Sequence, residues 1–182
     1  MRIAVIALSL FLSMQSLAQE DDWSFYGKDS GGGHYSEANE ITPENVKSLK
    51  NIWTHRSGDY KGGANSAGRK GDDYQTSFQV TPLLVDETLF YCTSFNRVFA
   101  LNPETGKEIW MFDPKLKKEG RAILACRGLS SWKDQKKSPD EKCFHHIIGV
   151  TIDAELFSID AKDGKLCKDF GNNGRVNLRK GL

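Results

Sequence analysis

Several patterns that would identify common functional sites are missing from this sequence. It has no CxxC or CxxCH spacing, which excludes a zinc knuckle and a covalently attached c-type haem. It has no GxxxxGKS/T stretch, so the three consecutive glycines within residues 23–36 do not form a phosphate loop. The 25 basic residues are balanced by 24 acidic ones, which leaves no electrostatic footprint for nucleic acid. No segment shows a convincing long helical pattern.

The first 18 residues have the composition of a signal peptide. Arg2 gives a positive start, residues 3–12 are apolar, and Ser16-Leu17-Ala18 supplies small residues before a cut that leaves Gln19 first. An apolar run of ten residues is too short to span a bilayer, which needs about 20. No cysteine lies beside the cut for lipid attachment, and no later apolar run is long enough for a membrane helix. We therefore predict an exported chain without a transmembrane anchor, folded over residues 19–182.

The four cysteines, Cys92, Cys126, Cys143 and Cys167, permit two disulfides in an exported chain, with three possible connectivities. Cys126 and Cys143 bracket a polar loop and are the favoured pair. Cys92 and Cys167 lie in strand-like runs, and burial as free thiols is the alternative for them.

The chain contains two copies of one unit, VFALNPETGKEIWMFD at residues 98–113 and LFSIDAKDGKLCKDFG at residues 156–171. An offset of 58 residues is too long for a small helical repeat and typical of a four-stranded propeller blade. Each copy indicates strand, turn and strand, with Gly106 and Gly164 at positive φ. An ordinary β-meander would explain one hairpin but not its recurrence at matched positions.

Short strands are predicted on both sides of these hairpins. Four of them make one blade, at residues 78–85, 89–93, 98–101 and 108–112. Three more belong to the next blade, at residues 147–151, 155–159 and 166–170. The remaining elements are a two-turn helix after Thr42-Pro43, a strand at 52–56, and long loops at 57–77 and 120–145.

The sequence thus predicts an all-β fold, the first two to three blades of a β-propeller. A propeller needs about four to eight blades to close. Either the rest of the protein lies outside this sequence, which we favour, or several chains assemble one ring.

Over nearly all of residues 19–182 the chain resembles the N-terminal part of the pyrroloquinoline quinone (PQQ) dependent dehydrogenases, and most closely the glucose, quinate and shikimate dehydrogenase group. The markers of this resemblance are Trp23 with Tyr26-Gly27, Glu44-Asn45-Val46, Trp53, Val80-Thr81-Pro82-Leu83, Leu89-Phe90-Tyr91-Cys92-Thr93, Thr105-Gly106-Lys107 with Trp110, Cys126-Arg127-Gly128, Cys143, and Asp169-Phe170-Gly171. The Thr-Gly-Lys and Trp pattern is shared by many propellers, whereas the combination of the others is more specific.

The resemblance implies an eight-bladed propeller enzyme that oxidises a sugar or polyol hydroxyl. In that family PQQ lies across the ring centre beside a divalent metal, usually Ca²⁺, which polarises the quinone as a Lewis acid. A carboxylate removes the hydroxyl proton while hydride passes to the quinone. The electrons then go to a respiratory quinone or another acceptor. Members bound to the membrane have a helical anchor where this chain has a signal peptide, so we expect a periplasmic enzyme.

Three residues match cofactor-binding positions of the family. Arg127 corresponds to an arginine that contacts the PQQ anion, and its alternative interpretation is a surface arginine beside a disulfide. Gln79 lies where relatives have Glu or Gln facing the cofactor, and it is otherwise a solvated edge-strand amide. Thr151 lies where some relatives place a cofactor-bonding threonine, and it is otherwise an ordinary β-former.

The chain departs from the family pattern at Ile123. Relatives cover one face of PQQ with a vicinal disulfide or with a histidine at that position, and this sequence has neither. His145 and His146 do not substitute, and we interpret them as loop or strand-edge residues. The catalytic Asp and the Ca²⁺ ligands of the family correspond to positions beyond residue 182, so we expect residues 1–182 alone to be inactive. A non-catalytic propeller scaffold and a relative that has lost its cofactor remain the alternatives.

Overall fold

The computed structural model describes residues 22–59, 75–117 and 123–181, and the regular elements in these ranges are short strands and one 3-10 turn. The strands are β1 (Gln75–Phe78), β2 (Leu83–Val85), β3 (Thr88–Cys92), β4 (Val98–Leu101), β5 (Glu108–Phe112), β6 (Ile123–Cys126), β7 (Ser130–Lys133), β8 (His145–Val150), β9 (Glu155–Asp160) and β10 (Arg175–Asn177). The predicted two-turn helix is only a single 3-10 turn, Val46–Ser48. The predicted signal peptide, residues 1–18, lies outside the described residues.

The first blade is a four-stranded antiparallel sheet in the order β2-β3-β4-β5. Leu83 pairs with Phe90 and Ala100 pairs with Trp110, so the ladder runs through the repeated hairpin as the sequence predicted. The strand predicted over residues 78–85 is divided between β1 and β2. Pro82 lies in the break, and a proline has no N–H to donate to a ladder. The all-β propeller architecture is confirmed.

The second blade has the order β7-β8-β9-β10. The strand predicted at residues 166–170 is wrong: Leu166 makes a single bridge to Ile159, and the chain then turns where the Phe170 N–H donates to the carbonyl of Cys167. The vacant edge of β9 is paired by β10 instead. The loop predicted at 120–145 is also too long, since it contains β6 and β7.

The two blades meet along their first strands. β1 and β6 are paired in parallel, with Phe78 opposite Cys126, and each is followed after a short break by the strand that joins its own blade. The first strand of each blade therefore has two parts, one paired with the neighbouring blade and one paired within its own sheet. Buried side chains from both sheets, including Phe90, Val98, Ile147, Phe157 and Ile159, form the core between the blades.

Tryptophans join the outer parts of successive blades. The indole N–H of Trp110, in β5, donates to the carbonyl of Ala161 at 3.0 Å, beside the second hairpin. Trp53 makes the matching bond to Pro103 at 2.9 Å, beside the first hairpin. Residues around Trp53 thus occupy the place of an outer strand belonging to a preceding blade. The strand predicted at 52–56 is not formed, because no other described strand lies alongside it to complete a ladder.

The structure corrects the predicted disulfide. Cys92 is bonded to Cys126 and Cys143 to Cys167, so the predicted Cys126–Cys143 pair is wrong and neither Cys92 nor Cys167 is a free thiol. The reason is strand pairing. The parallel β1–β6 contact brings the end of β6 to the end of β3, with 5.9 Å between the Cα atoms of Cys92 and Cys126. The residues that follow β7 bring Cys143 beside Cys167, near the end of the second hairpin.

Candidate cofactor site

Gln79 and Arg127 lie side by side at the ends of two parallel strands. Gln79 follows β1 and Arg127 follows β6, and the register places Ser77 opposite Ala125 just before them. Both side chains are exposed. Because side chains alternate along a strand, Ser77 shares one face with Ala125 and Ile123, and we extend this alternation to Gln79 and Arg127, which directly follow the two strands. We call these five residues the inner-strand face.

The opposite side of β6 faces the core. Leu124 is fully buried and Cys126 is 7% exposed, whereas Ile123, on the inner-strand face, is 55% exposed. The alternation fixes which residues can meet a ligand. The inner-strand face presents a cation and an amide at one end, small side chains in the middle and an aliphatic side chain at the other end.

The backbone that carries Arg127 is held by the first blade. The Thr81 N–H donates to the carbonyl of Arg127 at 3.2 Å. Cys126, one residue earlier, is bonded to Cys92 of β3, and both sulfur atoms lie 3.6 Å from the carbonyl oxygen of Gly128. The arginine therefore extends from a main chain fixed on both sides, while its guanidinium faces solvent.

Thr151 lies in the turn between β8 and β9 rather than on the inner-strand face. It is 7% exposed, and its hydroxyl accepts a hydrogen bond from the Glu155 N–H at 3.3 Å. It also lines a cleft of about 460 Å³ whose wall carries several cations. These cations are Lys115, Lys117, Arg175 and Arg179. Neither Gln79 nor Arg127 is among the described residues that line this cleft.

Two histidines are buried, contrary to the prediction of loop or strand-edge positions. His145 and His146 begin β8 and are 7% and 3% exposed. His145 lies between two blades: its Nε2 is 2.8 Å from the Ser131 hydroxyl and its Nδ1 is 3.2 Å from the carboxylate of Asp86. His146 Nδ1 lies 2.7 Å from the Ser158 hydroxyl. Burial lowers the pKa of both imidazoles below the ordinary value.

Comparison with known proteins identifies the family of this fold. The family model of the PQQ glucose, ethanol and alcohol dehydrogenase β-propeller domain matches residues 23–182. The chain belongs to this PQQ propeller family. It is 37% identical over 173 residues to quinoprotein glucose dehydrogenase A of Acinetobacter calcoaceticus, covering 88% of this chain and 21% of that protein. It is 31% identical over 176 residues to the quinate/shikimate dehydrogenase (quinone) of Acinetobacter baylyi, covering 88% of this chain and 20% of that protein.

A solved structure supports the same fold. Quinohemoprotein alcohol dehydrogenase from Comamonas testosteroni superposes with a TM-score of 0.63 at 22% identity, over 90% of this chain and 20% of that one. At this identity the likeness concerns the fold alone. The chain spans about a fifth of the length of the relatives it matches.

The inner-strand face fits the chemistry of PQQ. PQQ is a flat, polycarboxylated quinone, so it needs a cation for its carboxylates and a smooth surface for its rings. Arg127 is an exposed guanidinium that can bond two carboxylate oxygens. Ala125 and Ser77 are small enough to let a flat ring approach the sheet, and Ile123 supplies an exposed aliphatic surface.

The described residues do not bring together the oxygen ligands of a Ca²⁺ site. Potential ligand atoms of Cys143, Cys167 and Asp169 lie close together, but the disulfide between the cysteines leaves no thiolate. Ca²⁺ in any case prefers oxygen ligands. That the metal ligands come from beyond residue 182 stays a prediction.

No helix in the described ranges is long and apolar enough to cross a bilayer.

Proposed function

We propose that this chain is the N-terminal part of a periplasmic PQQ-dependent dehydrogenase that oxidises a sugar or polyol hydroxyl. The observation that carries the proposal is the pairing of β1 with β6, which sets Gln79 beside Arg127 on an exposed face. The relatives named for glucose and for quinate or shikimate oxidation support the substrate class. The signal peptide predicted at residues 1–18 supports export to the periplasm.

The residues of this chain bind and orient the cofactor in this proposal. The Arg127 guanidinium donates paired hydrogen bonds to a carboxylate of PQQ, and the Gln79 amide offers a donor and an acceptor beside it. Ile123 covers one face of the rings and keeps water from it. PQQ, when bound, supplies the two-electron acceptor for the hydride of the alcohol carbon. Thr151 contributes its hydroxyl to the cofactor from the turn between β8 and β9.

The remaining parts of the reaction come from outside residues 1–182 in this proposal. The relatives are about five times as long as the matched segment, which leaves room for the catalytic carboxylate, the Ca²⁺ ligands and most of the substrate contacts. A respiratory quinone or another acceptor then removes the electrons. Residues 1–182 alone are expected to be inactive.

The test uses the complete gene product reconstituted with PQQ and Ca²⁺. Binding is followed by quenching of tryptophan fluorescence on PQQ addition, and turnover by dye reduction with glucose, quinate and simple alcohols. Loss of a charge-assisted pair predicts that Arg127→Ala weakens PQQ binding about tenfold or more. Arg56→Ala, which removes another exposed arginine, should leave binding unchanged. A protein that binds no PQQ would overturn the proposal in favour of a non-catalytic propeller.

A further inference from the structure

One buried asparagine connects the two parts of the candidate site. Asn96 lies in the turn between β3 and β4 and is 2% exposed. Its Nδ2 donates to the carbonyl of Ala125 in β6 at 3.4 Å, and its Oδ1 accepts from the N–H of Ile152 at 3.3 Å. A single side chain from the first blade thus bonds the strand that leads into Arg127 and the turn that begins at Thr151.

The turn itself does not need an asparagine. Residues 93–97 and 151–155 form the same turn in the two blades. The first residue of each turn donates its N–H to the carbonyl of the fifth and accepts from the N–H of the fourth. The fourth residue is left-handed in both, with φ of 55° at Asn96 and 60° at Ala154. Since alanine takes this conformation in the second blade, the Asn96 side chain is not explained by the turn.

We propose that Asn96 is a positioning residue for the PQQ site, holding the Arg127 strand end at a fixed place relative to the Thr151 turn. This inference rests on the proposed function. Ala125 lies two residues before Arg127 on the same face, and Ile152 directly follows Thr151, so each bond fixes the backbone next to a predicted cofactor contact.

The disulfide strengthens the argument from the same turn. Cys92 precedes the turn and is bonded to Cys126, between the Asn96 contact at Ala125 and Arg127. The β3–β4 turn therefore holds β6 by a covalent bond at one point and a hydrogen bond at the next. The hydrogen bond from Ile152 to Asn96, by contrast, is the contact that extends this anchoring to the second turn.

Removal of the amide separates positioning from folding. In Asn96→Ala the turn keeps the conformation that Ala154 already shows, but the Ala125 carbonyl and the Ile152 N–H lose their partner. Two freed backbone groups let β6 and the turn move relative to each other. We expect PQQ affinity to fall about tenfold, because this corresponds to the loss of roughly one net hydrogen bond.

Asn96→Asp gives a readout that a purely structural role would not produce. The ionised carboxylate still accepts from Ile152 but cannot donate to Ala125, whereas the protonated acid does both. Burial favours protonation of such a carboxyl group. The PQQ affinity of Asn96→Asp should therefore recover toward the wild-type value as pH falls from 8 to 5.5. The ratio between the PQQ affinities of Asn96→Ala and wild type should stay constant over this range.

PQQ affinity is measured by fluorescence titration, and thermal unfolding is measured without PQQ, both on the complete gene product. Asn173→Ala is the matched control, since Asn173 is also left-handed, with φ of 52°, but is exposed. Its side-chain amide donates to the adjacent Asn172, so this variant should lose less thermal stability than Asn96→Ala and no PQQ affinity. Wild-type protein that binds no PQQ would sink the proposed function itself. Wild-type binding that is matched by both Asn96 variants at every pH would overturn only the positioning role.

Discussion

Trp110 lies over Gly164 of the neighbouring blade so closely that a Cβ on Gly164 would come within 2.6 Å of the indole ring. Trp53 lies over Gly106 in the same way, with a corresponding distance of 2.5 Å. Both glycines have φ of 67°, which the repeated hairpin predicted. Each turn glycine therefore has two roles, since it allows the left-handed backbone and leaves room for the tryptophan of the blade before.

Gly164→Ala should separate the blades at this contact. The added methyl group strains the left-handed backbone and displaces Trp110, and we expect a loss of about 2–4 kcal/mol in the free energy of unfolding. Denaturant titration measures it. The control is Gly128→Ala, where a Cβ would meet nothing within 4 Å, and its effect should stay within about 0.5 kcal/mol. Equal losses in the two variants would contradict the docking role of Gly164.

The disulfide pairs predict which peptides remain linked without reductant. Proteolysis should release Cys92 linked to Cys126 and Cys143 linked to Cys167, identified by mass spectrometry. Replacing Cys143 and Cys167 by serine should cost about 3 kcal/mol of unfolding free energy, as expected for a loop with a sequence separation of 24. A peptide linking Cys126 to Cys143 would show that the pairing described here is wrong.

The sequence predicted those features that depend on neighbouring residues. The turns at Gly106 and Gly164, the strands before them and the strand after Gly106 follow from local alternation and turn chemistry, and the structure confirms them. The strand at 166–170 failed because its apolar pattern is also compatible with a turn. That turn is stabilised by a hydrogen bond from the Phe170 N–H to the carbonyl of Cys167. A periodic pattern of apolar residues does not predict such a bond.

Features that depend on distant parts of the chain could not be predicted in this way. The parallel pairing of β1 with β6 joins residues 48 positions apart, such as Gln75 with Ile123, and it alone decides that Cys126 meets Cys92. Gln79 and Arg127 were found only through the family resemblance, and their adjacency came from the structure. Asn96 was missed because the sequence of its turn gives no sign of contacts on two other elements.

Arg97 is expected to stabilise the fold through a buried carboxylate. It forms an ion pair with Asp59, whose side chain is only 4% exposed and also accepts from the Phe95 N–H at 3.1 Å. Arg97→Met should cost about 3 kcal/mol or more, because it leaves a buried charge without its partner. Lys115→Met removes the cation of an exposed pair with Asp113 and should cost less than about 1 kcal/mol.

A double variant tests whether the buried charge causes this loss. If it does, adding Asp59→Asn to Arg97→Met should restore part of the lost unfolding free energy, because the charge without a partner is gone. A double variant that is less stable than Arg97→Met by the full cost of Asp59→Asn alone would show that the two side chains act independently.

Acid should destabilise the fold through His145 and His146. Burial is the main cause of the lowered pKa of each imidazole. For His145, Asp86 and Asp160 oppose this effect and Lys133 adds to it. For His146, Lys137 adds to it and Asp169 opposes it. Above the ordinary histidine pKa of 6.5 both imidazoles are neutral in the folded and unfolded states, so they add no pH dependence there.

Below that pKa the unfolded chain binds protons that the folded chain does not, so stability falls as the pH drops. The slope from each histidine should reach at most about 1.4 kcal/mol per pH unit. Denaturant titrations between pH 8 and 5 measure this slope, and His145→Gln with His146→Gln should flatten it. The carboxyl groups with lowered pKa titrate at lower pH and do not contribute in this window. An acid slope that persists in the double variant would show that other groups cause it.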